Sequence, residues 1–180
     1  RRRAPSAARD RHPKVLRTPS RLLSMVNHRL LKEYKELAKQ NDPEISLSLA
    51  DEADINGWEA RLRGPAGTPY EGGTFEIRLT CPPSYPLAPP KVTFVTPIFH
   101  PNVLFKTGEV CLDILKSESW TPAWTLQSVC RAVMALLSHP EADSPLNCDC
   151  GNLIRNGDMR GYRSMARMYT ALHASQPRPP

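Results

Sequence analysis

The chain has 180 residues, 40% of them hydrophobic and 23% charged, with nine glycines and nineteen prolines. That is room for one ordinary domain with a sizeable core, and it excludes a wholly disordered chain and, in the absence of a repeating triplet, collagen. The net charge of +6 is unevenly placed: residues 1–21 hold eight Arg or Lys and one acid, whereas residues 22–180 hold sixteen bases and seventeen acids. The high isoelectric point therefore belongs to a tail, and the body has no aromatic-rich basic surface that would point to nucleic acid as a partner. The tail is Arg-rich and acid-poor like a mitochondrial presequence, but Pro5, Pro13 and Pro19 would interrupt an amphipathic helix there. There is no run of about 18 apolar residues, so no membrane span is predicted.

Five cysteines, at positions 81, 111, 130, 148 and 150, without a secretory apolar segment fit a reducing compartment better than a disulfide framework. Cys148 and Cys150 lack a second Cys or His pair at zinc spacing, so no metal site is expected.

Apolar residues at Leu22, Val26, Leu30, Tyr34 and Leu37 predict an amphipathic helix over 22–38, with Ser20 as its N-cap and residues 41–43 as its stop. Four alternating runs follow: Ile45, Leu47 and Leu49; Trp58, Ala60 and Leu62; Phe75, Ile77 and Leu79; Val92 and Phe94. Each reads as a strand with one buried face, and the short turn-rich connections at 51–57 and 64–73 predict an antiparallel meander. Residues 81–101 carry seven prolines, which predicts irregular chain stiffened by its own rings. Residues 126–137 are apolar around most of a helix circumference, so that helix should be buried and Cys130 should be a core thiol. Asp158 should cap a last helix to about residue 172, with Tyr162, Met165, Met168, Tyr169 and Leu172 marking one face. The sum is an α+β layer with one sheet face covered.

The chemistry is concentrated in residues 99–115, FHPNVLFKTGEVCLDIL, where His100, Asn102, Cys111 and Asp113 fall within fourteen residues of non-repetitive chain. A cysteine thiolate is a strong nucleophile and its thioester a good acyl donor. An Asn side chain can donate to a tetrahedral oxyanion, and an acid near the cysteine can orient an incoming amine. Residue types alone leave three readings open: acyl carriage on Cys111, a Cys/His hydrolase, and a packed loop in which His100 closes a turn and Cys111 fills a gap.

Ordered motifs narrow this choice. YPLAPPKVTF stands at 85–94, HPN at 100–102, GEVCLDIL at 108–115, WTPAWTL at 120–126 and HPEADSPLN at 139–147. With them, residues 22–174 resemble a ubiquitin-conjugating enzyme (UBC) core from end to end. The resemblance implies the UBC fold: an N-terminal helix, a four-stranded antiparallel meander, a buried central helix and C-terminal helices. It also implies a core domain over 20–175, flanked by a disordered basic extension at 1–19 and a flexible Pro-rich end at 176–180.

The resemblance implies Cys111 as the thioester-forming cysteine, Asn102 as an oxyanion or loop-organising amide, and Asp113 as an acceptor-positioning acid. His100, Pro101 and Ser144 become active-site support, His100 by holding the HPN turn. Arg29, Lys32, Leu87, Pro122 and Ala123 fall where the family docks RING ligases and the activating enzyme. No metal or organic cofactor is implied, since ATP is consumed upstream. The partners implied are ubiquitin, the activating enzyme and a RING ligase. HPNVLFKTGEVCLDILKSESWTPAWTL and DSPLNCDCGNLIRNGD are most similar to the peroxisomal members, which recycle import receptors and work with a membrane-anchored peroxin. A place in the cytoplasm, peripheral on the cytosolic face of the peroxisomal membrane, is the matching expectation. The alternatives are a catalytically silent UBC scaffold and a general cytosolic conjugating enzyme.

Three departures from the family pattern stand out. Phe99 replaces a Tyr whose hydroxyl could contact the acceptor. Ser144, beside Asp143, replaces a second acid near the active site. Cys148 and Cys150 add thiols that could pair with each other or with Cys81 if geometry allowed.

Overall fold

The computed structural model describes residues 27–37, 39 and 42–175. The expected terminal segments 1–19 and 176–180 lie outside the described residues, as do Ser20, Leu22 and Val26 at the expected start of the first helix. Among the described residues the first helix, α1, is His28–Leu37, which falls inside the expected 22–38. Its start is set by Asn27, whose Oδ1 accepts from the backbone N–H of Arg29 at 3.1 Å and of Leu30 at 3.4 Å. An Asn in this role satisfies N–H groups that the first turn leaves without partners. The buried face of α1 differs from expectation. Glu33, 4% exposed, lies inside with Leu30, while Tyr34 is 37% exposed and meets Trp58 edge-on.

The sheet is the predicted meander. Strands β1 (Ile45–Asp51), β2 (Asp54–Arg63), β3 (Thr74–Thr80) and β4 (Lys91–Phe94) pair antiparallel in the order β1-β2-β3-β4. Their register puts Trp58 opposite Leu79, Ala60 opposite Ile77 and Leu62 opposite Phe75, and then Ile77 opposite Phe94 and Leu79 opposite Val92. All of these are buried, so the period-two pattern delivers one continuous apolar face.

Helix α2 (Leu126–Ser138) lies across β1 and β2 and buries Leu126, Val129, Cys130, Val133, Leu136 and Leu137. Its start is a capping box: Thr125 Oγ1 accepts from Ser128 N–H at 3.1 Å, and Ser128 Oγ accepts from Thr125 N–H at 2.7 Å. Two helices complete the chain, α3 (Cys148–Arg155), capped by Asn147, and α4 (Met159–Tyr169), capped by Asp158 as predicted. A single π turn, Thr170–Ala174, extends α4. The buried face here is Tyr162, Ala166, Thr170 and Ala174, not the expected stripe, since Met168 and Leu172 are exposed. The chain at Gly73 passes close to the end of this face: a Cβ there would lie 2.7 Å from Thr170 Cγ2 and 3.1 Å from Ala174 Cβ.

The irregular chain between β4 and α2 is anchored at His100, which is wholly buried. Its Nδ1 lies 3.1 Å from the Asn102 backbone nitrogen and its Nε2 lies 3.1 Å from the Leu136 carbonyl of α2. A backbone N–H can only donate, so Nδ1 is the acceptor and Nε2 carries the proton. The ring is therefore the neutral Nε2–H tautomer, bridging the turn to the core helix. Farther along, Gly108 has φ +72 and stands against β4, where a Cβ would fall 2.0 Å from the Phe94 carbonyl oxygen.

Burial lowers the His100 pKa from 6.5 to about 4. The unfolded chain thus takes up a proton in a window where the folded chain does not, and stability falls as pH drops from 6.5 toward 4. Between pH 6.5 and 5 the loss should be about 2 kcal/mol. Denaturant midpoints across this range should show that slope, and His100→Gln should flatten it. Gly108→Ala should cost about 3 kcal/mol, since a strained φ and a backbone collision combine. Gly157→Ala, at a similar φ of +76 but with nothing within 4 Å, should cost only about 1 kcal/mol in the same unfolding assay.

Candidate active site

The three residues of the HPN turn each hold a different piece of chain. His100 ties the turn to α2, as described. The Pro101 carbonyl accepts from the backbone N–H groups of Leu146, at 2.8 Å, and Asn147, at 3.0 Å. The Asn102 side chain makes a reciprocal pair with the Glu141 backbone: Nδ2 donates to the Glu141 carbonyl at 2.8 Å, and Oδ1 accepts from the Glu141 N–H at 2.9 Å. Finally, the Asn102 carbonyl accepts from the Cys111 N–H at 2.9 Å. The segment 141–147, which has no secondary structure of its own before the α3 cap, is thus pinned at both ends. Ser144 and Asp143 lie exposed on its crest.

Cys111 is half-buried and Cys148 exposed, while Cys81, Cys130 and Cys150 are buried. Burial pushes each of those three thiols up to about 12, which makes them poor nucleophiles at neutral pH. All five cysteines are free thiols. Of the two accessible ones, Cys111 is bonded through its backbone to the HPN turn and precedes a single 3₁₀ turn, Asp113–Leu115. The Asp113 carboxylate is exposed and pairs with Lys116 Nζ at 2.6 Å, which holds the lysine ammonium above the usual range. His100 has no free nitrogen with which to take a proton from Cys111, so the Cys/His hydrolase reading loses its only histidine in this segment. The arrangement suits a cysteine that receives and releases an acyl group by exchange, with no built-in base.

The five expected docking residues form two groups. Leu87 is 79% exposed, Pro122 and Ala123 are exposed, and Lys32 faces solvent with only a 3.9 Å contact to Glu36. Arg29 is different, because its donors are used inside the molecule. Its Nε pairs with Glu33 Oε1 at 2.6 Å, and its two terminal nitrogens donate to the carbonyls of Pro122 and Trp124, each at 2.8 Å. Glu33 in turn accepts from the Tyr85 hydroxyl at 2.8 Å and from the Leu126 N–H, in the first turn of α2, at 2.7 Å. This buried carboxylate joins α1, the proline-rich segment and the start of α2. Arg29 thereby ties α1 to the 120–125 loop. Trp120 adds a further tie, donating from Nε1 to the Pro86 carbonyl at 2.8 Å.

Sequence reasoning missed Glu33, the Pro101 carbonyl and an aromatic cluster beside the turn. Glu33 carried one signal: it falls on the helical face of Leu30 and Leu37, where a charge needs partners. The cluster is built on Tyr169, which stacks on Phe99 at 5.8 Å and meets Phe105 edge-on at 5.6 Å. These rings, with Leu153 and Met165, line a cleft of about 610 Å³ between the 99–105 segment and helices α3 and α4. The Phe99 ring is buried against Tyr169, so the replacement of Tyr falls within this packing.

The family model for "Ubiquitin-conjugating enzyme" matches residues 29–170. The chain is 61% identical over 148 residues to Protein PEROXIN-4 of Arabidopsis thaliana, covering 81% of this chain and 93% of that protein. It is 59% identical over 145 residues to ubiquitin-conjugating enzyme E2 pex4 of Dictyostelium discoideum, covering 81% and 97%. Among solved structures it is similar to H. polymorpha Pex4p in complex with the soluble domain of Pex22p, at TM-score 0.78 and 35% identity, covering 83% of this chain and 98% of that one. The "putative ubiquitin conjugating enzyme" from Plasmodium yoelii is similar at TM-score 0.76 and 36% identity, covering 90% of this chain and 100% of that one. The fold, the ordered motifs and these relatives together place the chain in the ubiquitin-conjugating enzyme family, as a peroxin-4 type member.

Proposed function

We propose that Cys111 carries ubiquitin as a thioester and passes it, with a RING ligase, to an import receptor being recycled at the peroxisome. The observation that carries this reading is the HPN turn, which fixes the backbone of the accessible Cys111 while pinning the 141–147 segment beside the turn. In the first step the Cys111 thiolate attacks the thioester carbonyl of ubiquitin on the activating enzyme and expels that enzyme's cysteine thiolate. In the second, an acceptor nucleophile attacks the new thioester carbonyl, and the Cys111 thiolate leaves.

Side-chain roles follow from position. Asn102 organises the loop, because its amide oxygen and one amide N–H are already committed to Glu141. That favours the loop-organising role over donation to an oxyanion. Asp113 positions the acceptor once it releases Lys116, and His100, Pro101 and Ser144 belong to the supporting frame. Lys32, Leu87, Pro122 and Ala123 supply the surface for the activating enzyme and the ligase, with Arg29 holding its loop in shape.

The peroxisomal part of the reading rests on the PEROXIN-4 and pex4 relatives and on the Pex4p complex with the soluble domain of Pex22p. No helix among the described residues is long and apolar enough to cross a membrane. Recruitment by a membrane-anchored peroxin would account for work on the cytosolic face of the organelle.

With activating enzyme, ubiquitin and ATP, the chain should form an adduct that thiol reagents reverse. Cys111→Ser should give a thiol-resistant oxyester on denaturing gels. An adduct that persists in Cys111→Ala would contradict the assignment.

A further inference from the structure

We infer that the exposed face of α4 is a contact surface for anionic phospholipid headgroups. Arg160, Arg163 and Arg167 are spaced i, i+3 and i+7 and so share one side of the helix. The helix contains no acid, and among the described residues none of these three arginines takes part in an ion pair. With Ser164 and the exposed Met159 they line one shallow depression of about 470 Å³. Arginine guanidinium groups bind phosphate oxygens in pairs, and a neighbouring methionine suits the acyl boundary just below a headgroup.

The charge distribution favours a plane over a point. Residues 27–149 hold eleven bases and sixteen acids, a net of −5, whereas residues 150–175 hold four bases and one acid, a net of +3. A negative membrane surface would attract the α4 face and repel the rest of the body, so it would orient the molecule as well as bind it. A second basic segment, residues 1–21 with a net of +7, stands at the opposite end of the sequence. Two separate basic segments can engage an extended anionic surface together, which a short acidic peptide cannot offer. The stripe lies outside the HPN turn, and this inference is independent of ubiquitin transfer.

The full chain is tested by co-flotation with phosphatidylcholine vesicles containing none or about 30% phosphatidylserine, at low and physiological salt. Binding should require phosphatidylserine and weaken with salt. The triple variant Arg160→Gln, Arg163→Gln, Arg167→Gln should bind about 100-fold more weakly, on the basis of about five-fold per arginine. A charge-matched control, Arg61→Gln, Arg63→Gln, Arg78→Gln on the sheet, should stay within about three-fold of the unmodified chain. Ubiquitin charging and the melting temperature of the triple variant verify that it is folded and active. Unchanged flotation of the triple variant, equal binding to neutral vesicles, or tighter binding to a polyglutamate peptide than to the anionic vesicles would each overturn the inference. The last result would assign the stripe to an acidic protein instead.

Discussion

The active-site end of the molecule depends on how the polar groups of one irregular segment are satisfied. Residues 141–147 connect α2 to α3 without a ladder or helix of their own, yet they lie against the body, where unpaired backbone groups are costly. The HPN turn supplies the missing partners: the Asn102 amide for both polar groups of Glu141, and the Pro101 carbonyl for the N–H groups of Leu146 and Asn147. Proline suits this position because it contributes an acceptor and has no donor to satisfy. The same turn fixes the Cys111 backbone through the Asn102 carbonyl. The Cys111 backbone and the flanking loop are therefore referenced to one short element, which His100 in turn fastens to α2.

A comparable solution operates at the other end. Glu33 is a buried carboxylate, and a buried charge is stable only when paired and hydrogen-bonded. Arg29, Tyr85 and the Leu126 N–H provide that environment, and the free end of an α-helix favours a negative charge there. The consequence is mechanical as well as electrostatic. The loops that display Leu87 and Pro122 are irregular, and they are held by Tyr85, Trp120 and Arg29, which are all tied to this network or to each other. Both ends of the molecule thus present loops without regular structure that are held by several hydrogen bonds to side chains and carbonyls.

The sheet and α2 are legible because burial there is simple and periodic: every second residue is apolar over 58–62 of β2 and 75–79 of β3, and α2 is apolar around most of its circumference. Legibility ended where polarity was used inside. Periodicity points to Tyr34 and not to Glu33, because it registers hydrophobicity and not a carboxylate with three donors around it. The buried face after α3 departs from an apolar stripe for the converse reason: small and polar residues such as Ala166, Thr170 and Ala174 lie inside, and Thr170 and Ala174 stand where the chain passes closely at Gly73. Motif order, not residue type, is what points to Cys111 and Asn102. The reciprocal Asn102–Glu141 bonds link residues far apart in sequence, and no local pattern announces them.

The central claim is that Asn102 acts by holding the 141–147 segment, and Asn102→Ala examines it directly. The measurement is single-turnover discharge of the charged variant, set against its thermal midpoint. Loss of two hydrogen bonds and exposure of their partners should cost about 2 kcal/mol, or about 4 to 8 °C for a domain of this size. The account predicts that lower midpoint together with slower charging and slower discharge. A variant that melts and charges like the native chain but discharges about 100 to 1000-fold more slowly would contradict it, because that is the signature of a lost oxyanion donor.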